Sequence, residues 1–250
     1  MPKSFSARMF VALIVISGLL VLGVVALNAR VAPTGRFISF LLVACLAARL
    51  KIKLPGLTGT MSVNLPFILL AVAEMSLAET LVVGLISTLV QCLPRGKHQG
   101  KQKINPVQVA FNCGTILLAV ALTKLIYVSP QLANVVSSAH LRLAIAAAGY
   151  SLANTVPIAI VIGLTEAVSA LRTWIEMVQL SFPYLVASAG IAGLALTITP
   201  EIAWQVPLAM LPVMAGIFQS YRRYFAASAA VGEASIKRQA SSTVAAGANV

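Results

Sequence analysis

The sequence predicts an all-α polytopic membrane protein, a transmembrane helix bundle of about eight spans with a broken or short third helix and one interfacial amphipathic helix. Composition is the first reason: 59% of the 250 residues are hydrophobic and 10% are charged, whereas soluble domains carry about 25% charged residues. The second reason is that the apolar residues form runs long enough to cross a hydrocarbon core of about 30 Å. Together they exclude an ordinary soluble enzyme.

Eight apolar spans are predicted along the chain. The first, 9–29, follows Lys3 and Arg8, and its length favours an uncleaved helix over a signal peptide, whose apolar core has about 7–15 residues. The remaining spans are predicted at 33–50, 65–75, 76–93, 106–128, 141–164, 182–198 and 203–220. Residues 1–223 therefore form one transmembrane domain, and the Ala- and Ser-rich cytoplasmic tail 224–250 is predicted to be disordered.

Local signals define the ends of several helices. The segment 54–66 contains Gly and Pro but no charge, which predicts irregular backbone that protein or water must satisfy at membrane depth. We expect Asn64 and Asn105 to cap the helices that follow them, and Ser76 with Glu79 to form a capping box. The short helix after Asn64 resembles the half-helices of transporters, whose N-terminal N–H groups bind anionic groups.

Residues 165–180 show a different pattern. Polar residues repeat on one predicted helical face and apolar residues on the opposite face, with Trp174 beside them. This periodicity predicts an amphipathic helix lying on the membrane surface. An ordinary helix in a soluble loop is the alternative.

The distribution of charge predicts the orientation of the chain. Lys and Arg number 18 against six acidic residues, for a net charge of +12. With eight spans and a cytoplasmic N-terminus, the basic residues outside are only Arg30, Arg36, Lys124 and Arg142. This positive-inside bias places both termini in the cytoplasm. The loop Arg95–Lys103 is expected to contact anionic lipids, and basic clusters between apolar runs argue against binding of nucleic acid.

Polar side chains at membrane depth are the candidate ligand-binding residues. Asn64, Gln91, Asn112 and Asn154 lie, by helical rise, at a similar inner-leaflet depth on four helices. They either line a shared ligand pocket or hold the helices together through hydrogen bonds. Glu74 is the one acid in an apolar segment without a capping role, and it is either a proton or cation site or a residue that reaches the outer interface.

Motifs for catalysis or metal binding are missing from the sequence. His98 and His140 belong to no paired-ligand spacing, and neither a GxSxG motif nor a P-loop is present. Cys45, Cys92 and Cys113 lie in apolar stretches without CxxC spacing and are predicted to be small buried residues. We therefore expect no catalytic residues, no metal and no cofactor.

Two motifs lie within residues 49–127, about a third of the chain. They consist of Leu54-Pro55-Gly56 with Ser62, Asn64 and Phe67, and of Pro106 with Gln108-Val109 and Phe111-Asn112. This arrangement resembles the multi-helix membrane sensor module found N-terminal to GGDEF, HD or histidine-kinase domains in bacteria, here without an effector domain. It is distantly similar to the substrate-binding subunits of vitamin-type uptake transporters.

The resemblance implies a free-standing module in a bacterial inner membrane that acts through a separate signalling or ATPase protein. Three roles remain open at this point. The chain is a sensor or receptor with a ligand pocket, a transport component such as a binding subunit or small carrier, or a structural membrane protein without a ligand. We expect the first role.

Overall fold

The computed structural model describes residues 5–28, 35–53, 60–93, 105–197, 205, 208–221 and 223. Within these ranges the chain is helical apart from one short antiparallel ladder. The helices are α1 (Phe5–Asn28), α2 (Gly35–Ala48), α3 (Leu65–Glu74), α4 (Leu77–Cys92), α5 (Pro106–Val128), α6 (Pro130–Val135), α7 (Ala139–Glu166), α8 (Ala170–Ala195) and α9 (Leu208–Tyr221). The ladder pairs β1 (Lys51–Lys53) with β2 (Thr60–Ser62), and Lys51 lies opposite Ser62.

Four helices are long and apolar enough to cross a membrane. They are α1, α5, α7 and α8, with 23 to 28 residues each, or about 35–42 Å at 1.5 Å per residue. The shorter apolar helices α2, α3, α4 and α9 have 10 to 16 residues. The predicted helical membrane architecture is confirmed, whereas the count of eight spans is not. The loop 95–103 and the tail 224–250 lie outside the described residues.

The short helix α3 occupies the centre of the bundle. Every residue from Leu65 to Val72 is buried, and α3 contacts α2, α4, α5, α7 and α8. A helix that is apolar on all sides requires an apolar environment all round, and protein supplies it here. The predicted short helix 65–75 is therefore present, and it forms the core of the protein.

The C-terminal end of α3 is held by the side chain of a lysine. The Nζ of Lys124, on α5, donates hydrogen bonds of 2.6 Å to the carbonyl oxygens of Val72 and Met75. The last carbonyl groups of a helix have no intrahelical partner, and a cation at this end also interacts favourably with the helix dipole. Lys124 thus stabilises a helix end that lies between other helices.

The helix α1, in contrast, lies at the periphery. Only Ala7, Val11 and Gly18 of its 24 residues are buried. It crosses α5 where two glycines meet: a Cβ atom on Gly18 would lie 2.7 Å from the Cα of Gly114, and a Cβ on Gly114 would lie 2.8 Å from the carbonyl oxygen of Ile14. Small residues at such a crossing let two membrane helices approach closely.

Two of the predicted helix caps are confirmed. The hydroxyl of Ser76 accepts a hydrogen bond from the backbone N–H of Glu79, and the Glu79 carboxylate accepts one from the backbone N–H of Ser76 at 2.9 Å. The side chain of Asn105 accepts from the N–H of Val107 at 3.1 Å. These caps define the starts of α4 and α5.

The prediction of a separate helix at 165–180 is wrong. Residues 165–166 end α7, and from Ala170 onward the segment is the start of α8 (Ala170–Ala195), which is a candidate span. Leu171 is 65% exposed, whereas Thr173 is buried and the indole N–H of Trp174 donates to the hydroxyl of Thr155 on α7 at 3.1 Å. Lipid accepts an outward apolar face, so amphipathic periodicity did not reveal which face contacts protein.

The ladder β1–β2 is a feature that sequence reasoning missed. The segment 54–66 was expected to be irregular throughout, yet its residues 60–62 pair with 51–53, which had been assigned to the basic end of the second span. The residues 54–59 between the strands lie outside the described ranges. The ladder matters because Ser62, at its end, contributes to the candidate site.

Candidate functional site

A cavity of about 170 Å³ lies beside the N-terminal end of α3, among α3, α4, α5, α7 and α8. Twelve of its sixteen lining residues have uncharged polar side chains, and none is charged. The lining residues are Ser62, Asn64, Leu65, Thr88, Gln91, Asn112, Thr115, Ile116, Tyr150, Ser151, Asn154, Thr155, Ile158, Ser181, Tyr184 and Leu185. Polar groups at this depth need partners, because lipid offers none.

The four carboxamide residues singled out from the sequence all line this cavity. Asn64 precedes α3, and Gln91, Asn112 and Asn154 come from α4, α5 and α7. Asn112 lies six residues into α5, about 9 Å from its start by helical rise. The structure therefore brings together four residues that are far apart in the sequence.

Glu74 is not part of the cavity. It ends α3 at the opposite end from Asn64, and its carboxylate forms an ion pair with Arg36 at the start of α2. Its side chain retains 27% exposure. Glu74 therefore lies at the end of α3 that is away from the cavity.

Asn64 occupies the position of an N-cap but does not act as one. Its side chain makes no cap hydrogen bond, because its backbone is helical (φ −95°, ψ −7°), whereas a capping residue needs extended backbone. Instead, its Oδ1 accepts from the hydroxyl of Ser62 at 2.7 Å and its Nδ2 donates to Ser87 at 3.2 Å. The predicted cap is wrong, and Asn64 links β2 to α4.

The first N–H groups of α3 are already engaged. The hydroxyl of Tyr184, on α8, accepts from the N–H of Leu65 at 3.1 Å, Pro66 has no N–H, and the N–H of Phe67 donates to the carbonyl of Asn64 at 3.2 Å. A helix N-terminus binds an anion through vacant N–H groups. At this end of α3, the N–H groups of Leu65 and Phe67 therefore already have partners, unlike the vacant N–H groups of an anion-binding half-helix.

Several groups in the cavity wall have unfilled hydrogen-bonding capacity. The hydroxyl of Thr115, a residue that is 2% exposed, has no partner among the described residues, and the same part of the chain provides none for the carboxamide of Asn154. The closest partner of the Asn112 Nδ2 is the sulfur of Cys92 at 3.7 Å. Leaving a buried polar group unsatisfied costs about 1–3 kcal/mol, so water or a ligand is expected to fill these roles.

Thr115, Ser151 and Tyr184 are cavity residues that sequence reasoning missed. Thr115 follows Asn112 by three residues and Ser151 precedes Asn154 by three, a spacing that places each pair on one helical face. That spacing was a signal for the first two. No local signal pointed to Tyr184, because its helix was predicted to be split in two.

The size of the cavity limits what it holds. An engineered cavity of about 150 Å³ in another protein binds benzene, so about six to eight non-hydrogen atoms fit here. Drug-sized ligands occupy about 300–1,000 Å³. Within the described residues, no group of three or more His, Cys, Asp or Glu side chains is placed to hold a metal ion.

The cavity lining is polar, neutral and incompletely hydrogen-bonded, in the middle of an apolar helix bundle. No protein-family model, curated protein or solved structure matches the chain.

Proposed function

We propose that the chain is a non-catalytic, sensor- or receptor-like membrane protein that binds a small ligand in the cavity beside α3 and acts through a separate partner protein. One observation carries this proposal: four carboxamides from separate segments meet at one cavity whose Thr115 and Asn154 side chains lack partners among the described residues. Polar groups at membrane depth are costly and are functional candidates by default.

The position of α3 suggests how occupancy reaches the rest of the bundle. The cavity lies at the N-terminal end of α3, where Tyr184 connects Leu65 to α8, and Lys124 connects the other end of α3 to α5. A ligand that contacts Tyr184 therefore contacts the residue that holds α3. It shifts the packing of the helices only if it binds one arrangement more tightly than the other.

For the cellular location, we propose a bacterial inner membrane with both termini in the cytoplasm. The supporting argument is the positive-inside bias, since only four of the 18 basic residues fall on the outer side in an eight-span arrangement. The loop Arg95–Lys103 would then contact anionic lipids of the inner leaflet. Nucleic acid is not a proposed partner.

A transport component is the second candidate. The observation that favours it is the 10-residue helix α3, whose N-terminus lies beside a polar cavity inside the bundle. Transporters bind their substrates beside such discontinuous helices. The chain would then be a substrate-binding subunit with a separate ATPase, or a small carrier. In a purely structural protein, the third candidate, the cavity would hold only water.

Ligand binding is tested by comparing the small molecules that co-purify with the protein and with variants of the cavity. Thr115→Val replaces the unpartnered hydroxyl, and Thr123→Val is the matched control, because Thr123 is buried in the same helix but its hydroxyl donates to the carbonyl of Ala119 at 2.6 Å. We expect a molecule that is retained by wild type and the control and depleted in Thr115→Val. Equal retention in all three would contradict the proposal.

The partner is identified by mild-detergent purification from the native host with mass spectrometry. A co-purifying kinase, cyclase or regulator supports the sensor role, and an ATPase supports the transport role. Uptake of solute by proteoliposomes that contain only this chain would support a carrier. In the sensor role, Asn112→Ala is expected to be expressed normally and to lose the ligand-dependent change.

A further inference from the structure

The direction of the hydrogen bonds in the cavity wall identifies the ligand more closely. Ser62 lies within hydrogen-bond distance of two carboxamides, at 2.7 Å from Asn64 and at 3.1 Å from Gln91. A serine hydroxyl has one proton and donates to only one of them. The other carboxamide must therefore turn its NH₂ group towards the Ser62 oxygen.

The distances show which carboxamide donates. Bonds of the O–H···O type are commonly about 2.7–2.8 Å long, and N–H···O bonds reach about 3.2 Å. The 2.7 Å contact fits Ser62 donating to Asn64, and the 3.1 Å contact fits Gln91 donating to Ser62. The chain then continues without conflict from Asn64 Nδ2 to Ser87, and from the Ser87 hydroxyl to the carbonyl of Gly84 at 3.1 Å.

With this direction we infer that the nitrogen of Gln91, rather than its oxygen, faces Ser62, so that its carbonyl oxygen is available to a ligand in the cavity that Gln91 lines. Carboxamide oxygen and nitrogen are distinguished by their hydrogen-bond partners, and the Gln91 nitrogen is assigned to Ser62. Thr115 offers the complementary group, because its hydroxyl has no partner among the described residues and its proton remains to be donated. The cavity wall thus presents an acceptor on α4 and a donor on α5.

We propose that the cavity selects a small, uncharged molecule that both donates and accepts hydrogen bonds, such as a carboxamide, a urea derivative or a short polyol. The molecule donates to the carbonyl oxygen of Gln91 and accepts from the hydroxyl of Thr115. None of the lining side chains carries a charge, and a charge without a partner is strongly disfavoured in a protein interior. This inference rests on the proposed ligand-binding function and names its ligand class.

The test measures how fast thiol reagents of different charge reach the cavity. Thr115→Cys is made in a background in which Cys45, Cys92 and Cys113 are replaced by serine or alanine. Three methanethiosulfonates are compared at pH 7: the neutral 2-hydroxyethyl reagent, the cationic 2-aminoethyl reagent and the anionic 2-carboxyethyl reagent. Asn134→Cys, on the exposed face of α6, reports the intrinsic reactivity of each reagent.

After division by the rates at Asn134→Cys, we expect the neutral reagent to modify Thr115→Cys about 100-fold faster than either charged reagent, because the cavity has no counter-ion for a buried charge. Equal rates for all three reagents would overturn the ligand class and leave the ligand-binding function standing. Reaction of all three at Asn134→Cys and of none at Thr115→Cys would overturn the ligand-binding function itself. If Thr115→Cys does not fold, Asn154→Cys provides the same comparison.

The role of Gln91 is tested in the same background. Gln91→Glu keeps the size of the side chain and introduces a negative charge, so the cationic reagent is expected to gain about tenfold over the neutral one through the new charge pair. Gln91→Met, of similar length and uncharged, is the matched control and should keep the discrimination against both charged reagents. An unchanged ratio in folded Gln91→Glu would remove Gln91 from the proposed contacts.

Discussion

Replacing Lys124 by Met tests whether α3 depends on a cation for its position. The substitution keeps the length and the apolar stem of the side chain and removes the ammonium group. In the wild-type structure this group donates to the carbonyl oxygens of Val72 and Met75, both at 2.6 Å. Met offers no donor, so the carbonyl groups of these two buried residues both lose a partner.

The size of the effect follows from the two bonds. Hydrogen bonds to charged groups contribute about 1.5–3 kcal/mol each, and the variant no longer has to desolvate an ammonium group, which offsets part of the loss. We expect a net destabilisation of about 3 kcal/mol. For a chain of this length, 1 kcal/mol shifts Tm by about 2–4 °C, so Tm should fall by roughly 6–12 °C.

The assay is thermal unfolding of the purified protein in a mild detergent. Aliquots are heated to increasing temperatures, and size-exclusion chromatography measures the folded protein that remains. Leu125→Met is the matched control, because Leu125 is the next residue on α5, is 60% exposed and makes no hydrogen bond through its side chain. Equal Tm values for Lys124→Met and Leu125→Met would refute the reasoning. They would mean that water or backbone rearrangement satisfies the end of α3 without the cation.

Three further predictions concern helix packing and the cavity. Gly114→Leu should destabilise the protein by about 1–3 kcal/mol, because the new side chain collides with the backbone of α1. Gly23→Leu is the control, since there is open space around the Cβ position of this glycine, and it should leave Tm unchanged. A similar loss of stability in both variants would contradict close packing at the crossing of α1 and α5. Asn64→Leu should lower stability by about 1–3 kcal/mol, because Ser62 loses its acceptor and Ser87 loses the donor that Asn64 provides. Asn154→Leu should preserve Tm and abolish ligand retention, and the reverse pattern would make Asn154 the structural residue. Tyr184→Phe should cost about 1–3 kcal/mol because the first N–H of α3 loses its acceptor, and unfolding temperatures of variant and wild type that coincide would count against that bond.

The candidate site was partly predictable because carboxamides are rare enough at membrane depth to be conspicuous. Helical rise alone placed Asn64, Gln91, Asn112 and Asn154 at one level, and the structure brings them to one cavity. Their individual roles were not predictable. Asn64 is held by two hydrogen bonds, whereas Asn154 has none among the described residues, and this difference depends on which helices are neighbours.

The sequence predicted two helices where the structure has the single helix α8, and this difference shows a limit of periodicity in a membrane protein. In a soluble helix, an apolar face marks the side that packs on protein. In lipid, an apolar face is equally stable facing outward, as exposed Leu171 shows, and the buried position falls on Thr173. The predicted polar face is exposed as well, as Arg172 shows, so amphipathicity did not identify the face of the helix that packs on protein.

The sequence by itself determined that this chain is a helical membrane protein, where most helices begin, and which polar residues lie at one depth, because hydropathy, capping chemistry and helical rise are local properties. Only the tertiary structure decided which apolar helix is lipid-facing and which is central. Both α1 and α3 are apolar on all sides, yet three of 24 residues are buried in the first and eight of 10 in the second. Length is the physical reason: α1 is long enough to extend through the bilayer, whereas α3 is too short to do so, and the groups at its two ends find partners in Tyr184 and Lys124.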